Sequence, residues 1–365
     1  MQADVPEGIP APVLGRRTGR PVRGLGPSVG PSLLAPGAAR DPYRLYRVLR
    51  EEYPLSYDAP LGAWLVSRYA DVATALADPR FTGLPHDDAP SGAPAPLGLC
   101  HGAPRCAPRE QRGATPGPVS HHAPDPATVP CHTAARIERT AYVLARRIAS
   151  RQQADLVEEF CRWLPFGTTP GTSARRHHDR LSGTTPGIAY GPPPGTAPAT
   201  AATPCTRHTG LRERALASLL ANVLDAPDVL AALRVEPALA DRAWTESLRR
   251  DPPVQVVLRR TVTEVALSGG ALPAGADVAC LIGAAGRDPE RFAAPDLFDP
   301  FRRDQGRSLT GPASCPAVLL GRLEARHGLR ALLDAMPGLR WADGFRPAGT
   351  GLLTRGPRAL LVRPG

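Results

Sequence analysis

Trp244-Thr245-Glu246-Ser247-Leu248-Arg249-Arg250, running into Asp251-Pro252-Pro253, is the stretch that decides how this chain is read. Its seven residues carry no glycine or proline, so a helix is predicted. That helix must end where Pro252-Pro253 removes two backbone donors and pushes the preceding residue towards extended geometry. Glu246 and Arg249 stand three apart and share one face, where carboxylate and guanidinium can pair. On an exposed helix such a pair is worth only about 0.3–0.5 kcal/mol, so its neighbours must supply any further meaning. Downstream, strands are expected over Val254 to Leu258, Val262 to Leu267 and Val278 to Ile282. Between them lie a Gly269-Gly270 turn and Pro273-Ala274-Gly275. After them come Arg287-Asp288-Pro289-Glu290-Arg291-Phe292 and Phe298-Asp299-Pro300.

Helical periodicity surrounds this stretch. Leu216, Leu219, Leu220, Val223 and Leu224 form an apolar stripe in a helix from Leu211, and Leu319, Leu320, Leu323 and Leu329 do so in one over Ala317 to Leu333. Ile137 to Ser150 carries Ile137, Ala141, Leu144, Ala145 and Ile148 on one side, and Asp155 to Leu164 reads as a further helix. Nearer the start, Asp41 can cap a helix that opens on Pro42 and stops at Pro54. Ala63 to Tyr69 has strand-like residues, and Asp71 opens a short helix through Ala77.

This order of helix, proline break, strands and Arg-Asp-Pro turn, followed by a cysteine loop, resembles the C-terminal half of the bacterial cytochrome P-450 proteins, the haem-thiolate monooxygenases. The resemblance covers Leu211 to Phe301 and Leu319 to Gly365. It returns in Asp41-Pro42-Tyr43, Trp64-Leu65-Val66 and Asp78-Pro79-Arg80-Phe81. It implies a mainly α fold with a smaller β region, as one domain over residues 41–365. It also implies haem b, and insertion of one atom of O2 into a small organic substrate of specialised metabolism. Reducing equivalents would come from NAD(P)H through ferredoxin reductase and ferredoxin.

By the same resemblance the iron ligand is Cys315, in Gly311-Pro312-Ala313-Ser314-Cys315-Pro316. A thiolate ahead of a helix is favoured by the helix's positive end, and as axial ligand it donates electron density that favours O–O cleavage. Arg260 matches the family's propionate arginine, and Glu246 with Arg249 its structural ion pair. The loop departs from the family pattern. Ser308 and Leu309 replace Phe-Gly, and Ala313 replaces a basic residue, while Gly311 is kept. The missing aromatic and the missing charge are each worth roughly 1–3 kcal/mol. Leu297 occupies a position where a third basic partner of the pair is common, which leaves that partner unassigned. The catalytic proton-delivery residues are unassigned too, because their helix would lie just before Leu211, where the sequence reads Cys205-Thr206-Arg207-His208-Thr209-Gly210.

Composition adds a warning. The 365 residues include 44 Pro and 36 Gly, near the level of low-complexity chain. These concentrate in residues 1–40, read as a disordered tail, and in two irregular stretches, 83–130 and 166–210. Both stretches have sharp edges and the same Pro, Gly, Arg and His texture. That texture points to out-of-frame or scrambled reading of a GC-rich coding sequence, and so to a degraded or frame-disrupted family member. The alternative function is therefore a catalytically inactive remnant with weak or no haem binding. Loss of a positioned acid/base group costs about 10²–10⁴ in rate, so weak or absent turnover is expected.

The net charge of +10 comes from dispersed arginines with 5% aromatics, which argues against a nucleic-acid partner. No run of 18 apolar residues and no apolar leader in Met1 to Arg20 occur, so no membrane span and a cytoplasmic location are expected. Seven irregularly spaced cysteines make no disulfide framework. A zinc site from Cys100, Cys106, His121, His122, Cys131 and His132 lacks the tight paired spacing such sites use.

Overall fold

Asp41 accepts a hydrogen bond from the Tyr43 amide (3.2 Å), and Pro42 opens helix α1 (Pro42–Glu52), which buries Tyr46 and Leu49. The structure, a computed structural model, describes residues 30–83, 131–168, 209–304, 309 and 316–365. Packed chain begins before Asp41. Leu33 is buried, and the Asp58 carboxylate accepts from Ser32 Oγ and the Leu33 amide, both at 2.8 Å. Residues 30–40 of the expected tail are thus fixed to the body, and residues 1–29 lie outside the described residues. So do residues 84–130 and 169–208 of the two irregular stretches, whose remaining edges are the end of a strand and the turns of two helices.

Strands β1 (Leu55–Asp58) and β2 (Ala63–Val66) form an antiparallel hairpin, followed by α2 (Tyr69–Ala77) and β3 (Phe81–Gly83). Helix α2 starts two residues before the expected Asp71. The buried Asp71 carboxylate instead accepts from the Ser268 amide and hydroxyl, tying the helix to a distant hairpin. Helix α3 (Cys131–Ala149) buries Ile137, Ala141, Ala145 and Ile148 as the periodicity predicts.

The expected helix from Asp155 is divided. Asp155 belongs to β4 (Ala154–Asp155), and its carboxylate accepts from the Val157 and Leu360 amides, both at 2.9 Å. A π-helical turn over Val157–Cys161 and then α4 (Trp163–Thr168) follow.

Helix α5 (Thr209–Leu224) is buried nearly all round, including Leu216, Leu219, Leu220 and Val223, as befits a central helix. Helices α6 (Pro227–Val235) and α7 (Ala240–Arg250) lead to β5 (Val256–Thr261). The hairpin of β6 (Val265–Leu267) and β7 (Gly270–Leu272) follows, then β8 (Asp277–Leu281) and the single turn α8 (Ile282–Ala285). After α9 (Pro316–Ala335) the chain ends in the short strands β9 (Arg340–Trp341), β10 (Gly349–Thr350), β11 (Gly356–Pro357) and β12 (Leu361–Arg363).

The main sheet runs β1-β2-β8-β5-β3, with β2 and β8 parallel and the other pairs antiparallel. Two layers result. Helices α3, α4, α5, α7 and α9 share one apolar core, with α9 lying along α3. The sheet packs with α1 and α2 around separate apolar clusters. Among the described residues no single helix is long and apolar enough to cross a membrane.

Candidate functional site

Helix α7 meets the chain of residues 286–304 in a buried polar knot. Glu246 is 0% exposed. Its Oε1 accepts from Arg249 Nη2 (2.8 Å), Arg302 Nε (2.9 Å) and the Asp299 amide (3.0 Å), and its Oε2 accepts from Arg249 Nε (2.8 Å). Arg249 also donates to the carbonyls of Gly286 (2.6 Å), Pro295 (2.8 Å) and Leu297 (3.0 Å). Arg302 donates to the Ala293 carbonyl (3.0 Å) and to Asp304 (3.1 Å). Burial of this kind makes the pair costly to break, because either charge left alone in the interior has no water to solvate it.

Arg302 is the third basic partner that the sequence left unassigned. The position considered for it, Leu297, contributes a carbonyl and leaves its side chain 63% exposed. Arg302 lies in Phe298-Asp299-Pro300-Phe301-Arg302, a stretch with no helical or strand period to mark which residue turns inward. The sole available signal was the Phe-Asp-Pro turn, which places an arginine two residues later back towards α7.

Glu246 and Arg249 are therefore brought together as expected, in the interior rather than at the surface. Arg260 lies elsewhere, on β5, where its guanidinium pairs with Asp277 across the β5–β8 ladder (2.7 and 3.2 Å); both side chains are 37% exposed. The adjacent Arg259 faces the opposite side of the sheet and is buried, and desolvation lowers its pKa. Cys315 lies outside the described residues. Leu309, described between Asp304 and Pro316, is half-buried and packs against the sheet-side apolar cluster.

The remaining chemistry narrows the donors for a metal cofactor. Burial pushes the Cys280 thiol up to about 12 and raises Cys161 as well, so neither is available as a thiolate. Among the described residues no three His, Cys, Asp or Glu side chains converge as a metal cluster. Of the weighed zinc donors, residues 100–122 lie outside the described residues. Helix α9 opens at Pro316, directly after Cys315 in the sequence, and the Arg260 side chain, paired with Asp277, remains partly exposed.

The family profile for Cytochrome P450 matches residues 237–313, from the approach to α7 through the knot. Pulcherriminic acid synthase of Bacillus subtilis is 32% identical over 162 residues, 41% of this chain and 40% of that protein. Cytochrome P450 107B1 of Saccharopolyspora erythraea is 29% identical over 412 aligned positions, covering 92% of this chain and 98% of that one. The chain thus spans about two fifths of the length of the first curated relatives it matches, while the second alignment runs almost end to end. Among solved structures, cytochrome P450 CYP109Q5 from Chondromyces apiculatus superposes with a TM-score of 0.66 at 20% identity, over 92% of this chain and 98% of that one. The profile match falls on the segment that holds the buried Glu246–Arg249–Arg302 knot, and the fold around it is that of solved bacterial cytochrome P450 structures, which is the family this chain is similar to.

Proposed function

We propose that this chain is a haem-thiolate monooxygenase of specialised metabolism. The observation that carries this reading is the fully assembled knot of Glu246, Arg249 and Arg302, since it fixes the segment that leads into the cysteine loop. Haem, when bound, supplies the iron chemistry by which one atom of O2 enters an organic substrate. In this reading Cys315 holds the iron, Arg260 pairs with a propionate, and Glu246 and Arg249 are structural. Arg260 would then divide its guanidinium between Asp277 on its Nε/Nη2 edge and the propionate on another edge of the planar fork.

The complete knot weighs against the inactive remnant, because a decayed chain has no reason to keep two cations and one carboxylate satisfied in the interior. The end-to-end alignment with Cytochrome P450 107B1 weighs the same way. The relative from Bacillus subtilis is a biosynthetic enzyme by its name, which favours a specialised metabolite as the small organic substrate. Electrons would arrive from NAD(P)H through ferredoxin reductase and ferredoxin, in the cytoplasm. The domain would run to residue 365 and include the irregular stretches 83–130 and 166–210. Ser308 and Ala313 weaken the haem seat relative to the family pattern, so loose haem retention and slow turnover are expected.

The test is the carbon-monoxide difference spectrum of the reduced, haem-loaded protein, beside Cys315→Ser. The parent should give a thiolate-type band that the variant loses. An unchanged spectrum in the variant, or no haem uptake by the parent, overturns the reading.

A further inference from the structure

A second layer of polar contacts encloses the knot, one residue further along each participating segment. The inner layer is Arg249, which holds the carbonyls of Gly286, Pro295 and Leu297. The outer layer is centred on Arg287. Its Nε donates to the Arg250 carbonyl (3.0 Å), its Nη2 to Asp251 Oδ1 (2.7 Å) and its Nη1 to Asp296 Oδ1 (2.9 Å). Arg250 closes the circuit by donating to the Asp296 carbonyl (2.8 Å) and to Asp251 (3.0 Å). Residues 249, 286 and 295–297 are therefore gripped on the inside, and 250–251, 287 and 296 on the outside. The three segments are the same in both.

The outer layer also reaches the N-terminal helix. Tyr43 donates from its hydroxyl to Asp251 Oδ1 (3.0 Å), and its ring lies 3.5 Å from the Arg287 guanidinium, a close cation–π stack. Arg355 approaches the same ring at 5.7 Å. Helix α1 is thereby fastened to the C-terminal cap of α7, Asp251, two residues beyond the helix turn that carries both Glu246 and Arg249. The two grips are linked through the chain, because Arg250 follows Arg249, Arg287 follows Gly286, and Asp296 lies between Pro295 and Leu297.

We infer that Arg287 is a positioning residue: with Tyr43, Asp251 and Asp296 it forms an outer clamp that holds the inner Glu246–Arg249–Arg302 clamp in register. Its link to the haem seat rests on the reading of Cys315 given above, but the coupling of the two clamps does not. Arg287 suits this task because its planar fork presents Nε, Nη1 and Nη2 separately to a carbonyl and two carboxylates, whereas a lysine offers a single nitrogen.

The experiment is amide hydrogen exchange on the full chain, read at Asp299, whose amide donates to Glu246 and so reports the inner clamp, and at Leu219 in the helical core as a reference. In Arg287→Gln the Asp299 amide should exchange about tenfold faster relative to Leu219, the scale expected for losing a charge-assisted hydrogen bond. Arg287→Lys should recover part of that protection. A purely structural role would accelerate both amides in step, and that result, or an unchanged Asp299, overturns the proposal. Should Arg287→Gln fail to fold, Tyr43→Phe decides, with a rise of about threefold expected and none overturning it. A parallel carbon-monoxide spectrum of the haem-loaded variant should show a larger non-thiolate fraction. A parent without a thiolate band would count against Cys315 and the haem reading, while the exchange ratio still judges the clamp.

Discussion

The helical layer and the knot at the end of α7 exclude water by opposite means. In the helical layer Leu216, Leu219, Leu329 and Leu332 exclude water by apolar packing, and any one of them is supported by many equivalent neighbours. In the knot one carboxylate, Glu246, serves two guanidiniums and a backbone amide. Packing of the first kind degrades gradually as side chains shrink, whereas the second fails when a single charge is removed. The polar knot is therefore where a small sequence change does most harm, although the apolar core supplies most of the burial.

Glu246→Ala is the severest way to probe this contrast. It leaves Arg249 buried without a carboxylate and Arg302 with Asp304 alone, and a loss of about 4 kcal/mol in denaturant unfolding is expected. Leu219→Ala in the helical core should cost about 3 kcal/mol by the same measurement, through lost transfer energy and an unfilled cavity. If the two losses came out in reverse order by a wide margin, the contrast between the layers would not hold.

Acid provides a milder probe of the outer clamp. Burial alone would raise the Asp251 carboxyl, but Arg287 and then Arg250, with the hydrogen bonds, outweigh it and hold the carboxyl below its usual range. A carboxylate lowered in the folded state contributes stability above the unfolded value, about 3.9, and loses it as pH falls through the lowered one. The melting temperature should therefore drop on acidification from neutral to about pH 3, and Asp251→Asn should show a shallower drop. An equal drop in both would remove Asp251 from the clamp.

The smallest effect is expected where the helical layer itself holds charge. Arg212 and Glu324 pair inside it, 5% and 1% exposed, and Arg212 also donates to the Pro165 carbonyl (3.2 Å). Replacing both together, as Arg212→Met with Glu324→Leu, should change stability by no more than about 1 kcal/mol, because the apolar surroundings accept apolar substitutes. A large loss would show that the bundle depends on polar contacts as the knot does.

What could be read in advance follows the same division. The Asp41 cap, the stripe of Ile137, Ala141, Ala145 and Ile148, and the stripe of Leu216 to Val223 are local patterns that the structure reproduces. The Glu246 and Arg249 spacing placed both on one face, but helical spacing does not say whether that face meets solvent or the segment of residues 286–304. Arg302 escaped notice because its role is fixed by a fold-back of 56 residues, not by a repeat. Strand β7 was hidden because Gly269-Gly270 read as a turn, and Gly270 in fact starts the strand at positive φ. The divided helix after Asp155 was lost for a related reason: its carboxylate spends its lone pairs on two backbone amides, one of them at Leu360. Cys315 is named as the haem ligand by resemblance alone and lies outside the described residues.

Gly286 sets a last condition on the whole assembly. A Cβ placed there would lie 2.1 Å from the Arg249 carbonyl oxygen, so even a methyl group would force the end of α7 away from its partner segment. In the genetic code alanine and arginine are each a single base from glycine, and both are abundant in this chain. This close approach is thus also easy to damage by chance. Survival of glycine at this position in naturally drifting copies would show that selection still guards the fold.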